Sequence, residues 1–206
     1  MVVIVDYGMG NLRSVHKAVV AIGSSAIISN KPDDIIKADK LIIPGVGAFG
    51  DGMQNIRDYG IEDAIVQFIN SGKPVLGICL GMQMLFYDGD ENPGIKGLSV
   101  IKGSVKMFDQ QILRKQGLKI PHIGWNAVTQ TRKSFLFEGI PDKSYFYFVH
   151  SYYPVPAEDV GIGVTDYGVD FTSVIQKGNI VATQFHPEKS QKMGLRLLSN
   201  FINYKG

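Results

Sequence analysis

Nine consecutive residues, Val75-Leu76-Gly77-Ile78-Cys79-Leu80-Gly81-Met82-Gln83, constrain this chain more tightly than any other segment. The apolar run reads as a buried strand, and the glycines two before and two after Cys79 mark a sharp turn from that strand straight into a helix. This is the nucleophile-elbow pattern with Cys in place of Ser. The reactive side chain sits on a strained turn, where side chains at the flanking positions would collide with the neighbouring strand and helix. At the helix N-terminus, free N–H groups and the positive end of the macrodipole favour a thiolate over a thiol. A lone cysteine is ordinarily packing, because free Cys is among the most buried residue types. The Gly-x-Cys-x-Gly setting reverses that reading.

The segments before the elbow repeat its alternation of short apolar strands and amphipathic helices. Val2 to Asp6 reads as a strand, followed by a helix with Leu12, Val15, Val19 and Ile22 on one face and Gly23 at its end. Ala26 to Ile28 is a second strand, Pro32 opens a short helix to Ala38, and Leu41 to Ile43 is a third strand expected to stop at Pro44. Ile61, Ile65, Phe68 and Ile69 then share a helical face, with Gly72 as C-cap. Strands this short and apolar on both faces imply a parallel sheet covered by helices. Beyond Gly97 the pattern alternates: Val100 to Phe108, Tyr145 to Val149, Ile162 to Asp166, Ser173 to Gln176 and Val181 to Phe185 read as antiparallel strands. A last amphipathic helix carries Leu195, Leu198 and Ile202, with Ser190 placed to cap its start.

Composition narrows the partners. At 206 residues and 45% hydrophobic the chain can bury about 70% of its unfolded surface around one core, so a single domain is expected. The 21 basic and 19 acidic side chains leave a net charge of +2, too even for a nucleic-acid footprint. One cysteine permits neither an internal disulfide nor a thiolate zinc site and fits a reducing compartment. No apolar run approaches the roughly 18 residues of a membrane span and no basic leader precedes the first strand, so a cytoplasmic protein without membrane contact is expected.

A thiolate that attacks a carbonyl needs a base that also protonates the leaving group. Of His16, His122, His150 and His186, His16 falls on the polar side of its helix and reads as solvated. His186 ends an apolar strand and is followed by Pro187 and Glu188, so the carboxylate can turn back to hold the imidazole in one tautomer. A His-Pro-Glu tripeptide alone is weak; beside the elbow it becomes specific. The Gly-rich loop Pro44-Gly45-Val46-Gly47-Ala48-Phe49-Gly50 lacks the partners of a dinucleotide or Walker loop. In a parallel sheet it lies at the C-terminal strand edge beside Cys79, where its N–H groups can complement that of Leu80 as an oxyanion hole.

The elbow, the Gly-rich loop and the His-Pro-Glu, in this order, resemble the class I (triad) glutamine amidotransferases over essentially the whole chain. Within that family, Asp6–Leu12, Pro44–Gly47, Gly77–Gln83, Pro121–Asn126 and Phe185–Ser190 are similar to the branch serving histidine biosynthesis; the last motifs set it apart from the anthranilate and GMP synthetase relatives. The resemblance implies a three-layer, flavodoxin-like α/β fold with a largely parallel central sheet and extra antiparallel strands, one amidotransferase domain over residues 1–206. It implies a glutaminase in which Cys79 forms a γ-glutamyl thioester, His186 shuttles the proton and Glu188 orients His186. Leu80 and Val46 or Gly47 would supply the oxyanion N–H groups, and Gln83 with the Ser151–Tyr152 backbone would hold glutamine, leaving His150 structural. The ammonia would pass to a TIM-barrel synthase (cyclase) subunit, a heterodimer partner faced by Asn11, His122, Trp125, Tyr147 and Lys189, where it meets a phosphoribulosyl-formimino intermediate. No cofactor and no metal are implied. The alternatives are the glutaminase of another synthase, a Cys-elbow hydrolase of the thioesterase or peptidase type, which normally places its acid well before the histidine, and a non-catalytic binding subunit, which would have lost a triad residue.

Overall fold

The computed structural model describes residues 1–205. Its first half alternates strands and helices: β1 (Val2–Val5), α1 (Leu12–Ala21), β2 (Ala26–Ser29), α2 (Pro32–Lys37), β3 (Lys40–Gly45), α3 (Phe49–Asp58), α4 (Glu62–Asn70), β4 (Val75–Cys79) and α5 (Leu80–Gln83); α3 departs from the expectation, since it opens at Phe49 within the segment read as a Gly-rich loop. The second half holds β5 (Phe86–Gly89), β6 (Ile101–Met107), α6 (Gln110–Lys115), β7 (His122–Gln130), β8 (Ser144–His150), β9 (Tyr152–Pro156), β10 (Gly161–Asp166), β11 (Asp170–Lys177), β12 (Ile180–Thr183) and α7 (Gln191–Asn203).

Nine strands form one sheet in the order β2-β1-β3-β4-β12-β11-β10-β7-β8. The first five are parallel, and the rest pair antiparallel. A second sheet, β5-β6-β9, lies apart. Both faces of β1, β3, β4 and β12 are buried, whereas β2 at the sheet edge leaves Ile27 and Ile28 exposed, and consecutive residues of β1 divide between two cores. Val3 and Val5 pack with Ile35, Ile56, Ile65 and Phe68, whereas Val2 and Ile4 pack with Val15, Val19, Leu198 and Phe201. The result is a three-layer α/β arrangement, helices on either side of a mixed sheet.

Three further local expectations are corrected. β3 runs through Pro44 to Gly45 rather than stopping before the proline. Its pairing with β1 ends at Ile42 while its pairing with β4 continues, so the missing proline N–H falls where one neighbour has already left. The last helix buries Gly194, Leu197, Leu198 and Phe201, leaving Leu195 and Ile202 half-buried. Ser190 makes no side-chain cap to α7; its Oγ donates to His186 O at 2.6 Å and accepts from Tyr147 N at 2.9 Å. β7 is legible in the sequence only as a motif, because Gly124 and polar residues interrupt its alternation.

Candidate active site

Cys79 closes β4 and precedes the first residue of α5, at φ +53° and ψ −108°. A backbone in that region costs about 1–3 kcal/mol for a residue with a side chain and persists only where the surroundings enforce it. They do: a Cβ on Gly81 would overlap the Ile43 carbonyl of β3, and one on Gly77 would stand 2.9 Å from Gly81 O. The glycines let strand, turn and helix close around a single side chain. Gly45 lies opposite Cys79 in the β3–β4 ladder, so Val46 and Gly47 leave the sheet directly beside the thiol. Gly47 has φ +107°, and a Cβ there would run into Met9.

His186 lies three residues past β12, because that strand ends at Thr183 rather than Phe185. The following 3₁₀ turn, Pro187–Lys189, brings Glu188 back, and His186 Nδ1 meets Glu188 Oε1 at 2.8 Å with both side chains almost wholly buried. Burial opposes charge on this ring, but the Cys79 charge and the Glu188 carboxylate outweigh it and raise the His186 pKa to about 10. The other ring nitrogen, Nε2, is buried without a partner inside the protein. Nδ1 thus donates to a carboxylate, while Nε2 makes no hydrogen bond within the protein.

A cavity of about 390 Å³ opens at Cys79, lined by Val46, Gly47, Leu80, Gln83, Glu91, Pro121, Val149, His150, Ser151, Tyr152 and Lys189. Every residue expected for the oxyanion hole and the substrate pocket therefore shares one cavity with the cysteine. Gln83 Nε2 donates to Tyr152 O at 3.0 Å and to Gln184 Oε1 at 3.1 Å, and Gln184 Nε2 donates to Cys79 Sγ at 3.6 Å. Sequence reasoning misses Gln184, although a buried glutamine at the end of an apolar strand has to find partners. It misses Glu91 too, whose Oε2 accepts from Phe49 N at the start of α3, at 2.7 Å. Tyr7, which the sequence marks only as part of the Asp6–Leu12 motif, is fully buried and donates to Pro44 O at 2.6 Å, and burial, with the Cys79 charge second, drives its ionisation up. Among the described residues, no group of three or more His, Cys, Asp and Glu could hold a metal ion.

The residues expected to face a partner separate into two sets. Trp125 is 45% exposed and meets Tyr147 across β7–β8 with ring centroids 6.2 Å apart, while Lys189 Nζ lies 5.9 Å from the Tyr147 centroid. Asn11 is half-buried at the start of α1. His122 departs from expectation: it is 3% exposed, stacked between Phe148 and Tyr167, because its β7 position points inward. His16 is not free in solvent either; its Nε2 pairs with Ala26 O at 3.1 Å.

A cysteine elbow at a parallel strand edge, a buried His-Glu pair behind it and a glycine loop beside it define a triad amidotransferase, and the glutamine amidotransferase class-I family matches residues 3–204. The chain belongs to that family. It is 48% identical over 202 residues to the imidazole glycerol phosphate synthase subunit HisH of Methanocaldococcus jannaschii, covering 98% of both chains. Against the same subunit of Thermococcus kodakarensis it is 48% identical over 206 residues, 98% of each, and against that of Chlorobaculum tepidum 47%, with 99% and 100% covered. The fold is also that of a crystal structure of glutamine amidotransferase (TM-score 0.72, 22% identity, 98% and 97% covered) and of PurLQS from Thermotoga maritima (TM-score 0.74, 19% identity, 100% and 98% covered).

Proposed function

We propose that this chain is the glutaminase subunit of an imidazole glycerol phosphate synthase, releasing ammonia from glutamine for use in histidine biosynthesis. The observation that carries the reading is the buried His186–Glu188 pair with its free Nε2, behind a cysteine held on an elbow. The Cys79 thiolate attacks the carboxamide carbon of glutamine, and the oxyanion forms near the N–H groups of Leu80 and of Val46 or Gly47. His186 Nε2 gives its proton to the departing nitrogen, the C–N bond breaks, and ammonia leaves a γ-glutamyl thioester. The same nitrogen then takes a proton from water as it attacks the thioester, and glutamate departs with the thiolate restored. Glu188 keeps the ring in one orientation through both steps. Gln83 and the Ser151–Tyr152 backbone hold the substrate.

The ammonia is consumed by a TIM-barrel synthase (cyclase) subunit that makes imidazole glycerol phosphate and AICAR, the lyase half of a heterodimer. Asn11, Trp125, Tyr147 and Lys189 form the side that meets it; His122, being buried, lies beneath that surface. The chain works as one amidotransferase domain over residues 1–206 in the cytoplasm; no helix among the described residues is long and apolar enough to cross a membrane. The test reconstitutes the complex and compares nitrogen sources. Cys79→Ala should abolish synthesis from glutamine and leave synthesis from ammonium salts nearly unchanged, since free ammonia needs no thioester. Retained glutamine-dependent synthesis overturns the covalent mechanism, and loss of both activities in an intact complex overturns the placement of the acceptor chemistry on the partner.

A further inference from the structure

Behind the cavity, His150 Nδ1 lies 2.8 Å from Tyr152 O, His150 Nε2 lies 2.9 Å from His122 Nδ1, and His122 Nε2 lies 3.3 Å from Asn126 Nδ2. The protons on this chain are fixed by its ends. Asn126 Oδ1 accepts from Ala127 N at 2.8 Å and Nδ2 donates to Asp166 O at 2.8 Å, so the amide orientation is determined. Nδ2 is therefore a donor toward His122 Nε2, which must be a lone pair. His122 then carries its proton on Nδ1 and donates to His150 Nε2; His150 in turn carries its proton on Nδ1 and donates to Tyr152 O. Starting from the carbonyl end leads to the same two tautomers, since a carbonyl only accepts.

We propose that His122 and His150 are positioning residues for glutamine, a relay of two neutral rings that holds the Tyr152 peptide in the orientation the pocket uses. The proposal rests on the assignment of Gln83 and the Ser151–Tyr152 backbone to that pocket. The Tyr152 carbonyl accepts from two sides, from His150 and from Gln83, so losing the first donor frees the peptide to turn and carries Gln83 with it. Without His122, the His150 Nε2 lone pair is left buried and unpaired, so the ring gains by turning toward another donor and away from the Tyr152 oxygen. Both rings are kept uncharged chiefly by burial, which lowers His122 to about 4 and His150 to about 3. The far end of the relay, Asn126, adjoins Trp125 in β7, on the strand that carries the exposed aromatic face.

The experiment is a set of glutamine saturation curves on the glutaminase–synthase complex, with ammonium-dependent synthesis as the check on folding. His122→Phe keeps a flat ring between Phe148 and Tyr167 but removes the donor, and it should raise the KM for glutamine about tenfold while kcat stays within about twofold. His122→Asn puts an amide N–H near the Nδ1 position and should bring KM back to within about threefold of the parent. An unchanged KM in His122→Phe, equal increases in both variants, or a fall in kcat instead overturns the relay. If His122→Phe also loses ammonium-dependent synthesis, His150→Asn decides: it retains a donor toward Tyr152, so a KM within about threefold supports the relay and a tenfold rise overturns it. Gln83→Leu separates the two levels. A raised KM there with none in His122→Phe removes the relay alone; no change in either removes the pocket assignment.

Discussion

His186 and His150 are both buried imidazoles in the second half of the chain, and both lie near the cavity, yet their surroundings hold them in opposite charge states. Burial disfavours the charged ring at each. At His186 the Cys79 charge and the Glu188 carboxylate outweigh burial and take the pKa to about 10. At His150 burial dominates, the Tyr152 carbonyl opposes it, and the charges of His122 and His186 add to it, so the pKa falls to about 3. An aromatic setting of Phe108, Phe148 and Phe171 surrounds the neutral ring. The two rings differ in their surroundings: charged neighbours, Cys79 and Glu188, at His186, and burial among aromatic rings beside a carbonyl and a second imidazole at His150.

The sharpest way to break this contrast is to exchange each ring for an amide. His186→Asn should lower kcat for glutamine-dependent glutamate release about 10³-fold, whereas His150→Asn, which keeps its donor, should lose less than about tenfold. Similar losses in a steady-state glutamate assay would erase the division of roles. Next in size, Glu188→Gln should cost about 10²-fold in kcat, because the ring loses the carboxylate that orients and charges it; activity within about threefold of the parent in the same assay counts against that role.

The two settings also place opposite demands on pH. His186 is raised above the ordinary 6.5, so its contribution to stability is complete below about pH 6.5 and is lost as pH rises through about 10. His122 and His150 are lowered to about 4 and about 3, so theirs is present above about pH 6.5 and is lost as pH falls through those values. Urea midpoints measured from about pH 4 to 10 should therefore flatten on the alkaline side in Glu188→Gln and on the acid side in His122→Phe. The opposite assignment of limbs would show that the charge states are misread. The smallest effect expected is at Ser190, which ties His186 O to Tyr147 N: Ser190→Ala should lose about 1–3 kcal/mol of unfolding free energy with kcat nearly unchanged. A large kcat loss without destabilisation would make Ser190 part of the chemistry instead.

Much of the fold and of the site is legible in the amino-acid sequence. The period of three to four in α1 and α4 and the short apolar β1, β3 and β4 announce a helix-covered parallel sheet, since burial on both faces leaves no other pattern for such strands. The elbow and the His-Pro-Glu turn are local devices, made of residues within a few positions of one another, so their chemistry is written in consecutive letters. What only the tertiary structure decided depends on distance in the chain. Pro44 continues a strand because β1 stops short beside it. His122 is buried because β7 pairs with β8, setting it opposite His150. Gln184 meets Cys79 across 105 positions, and Gln83 meets Tyr152 across 69. A local pattern carries which side chains are reactive; whether a given histidine is charged, neutral, exposed or paired is set by the partners that long-range packing brings to it, and a burial cost of several kcal/mol per unpaired group leaves those partners little freedom once the chain has closed.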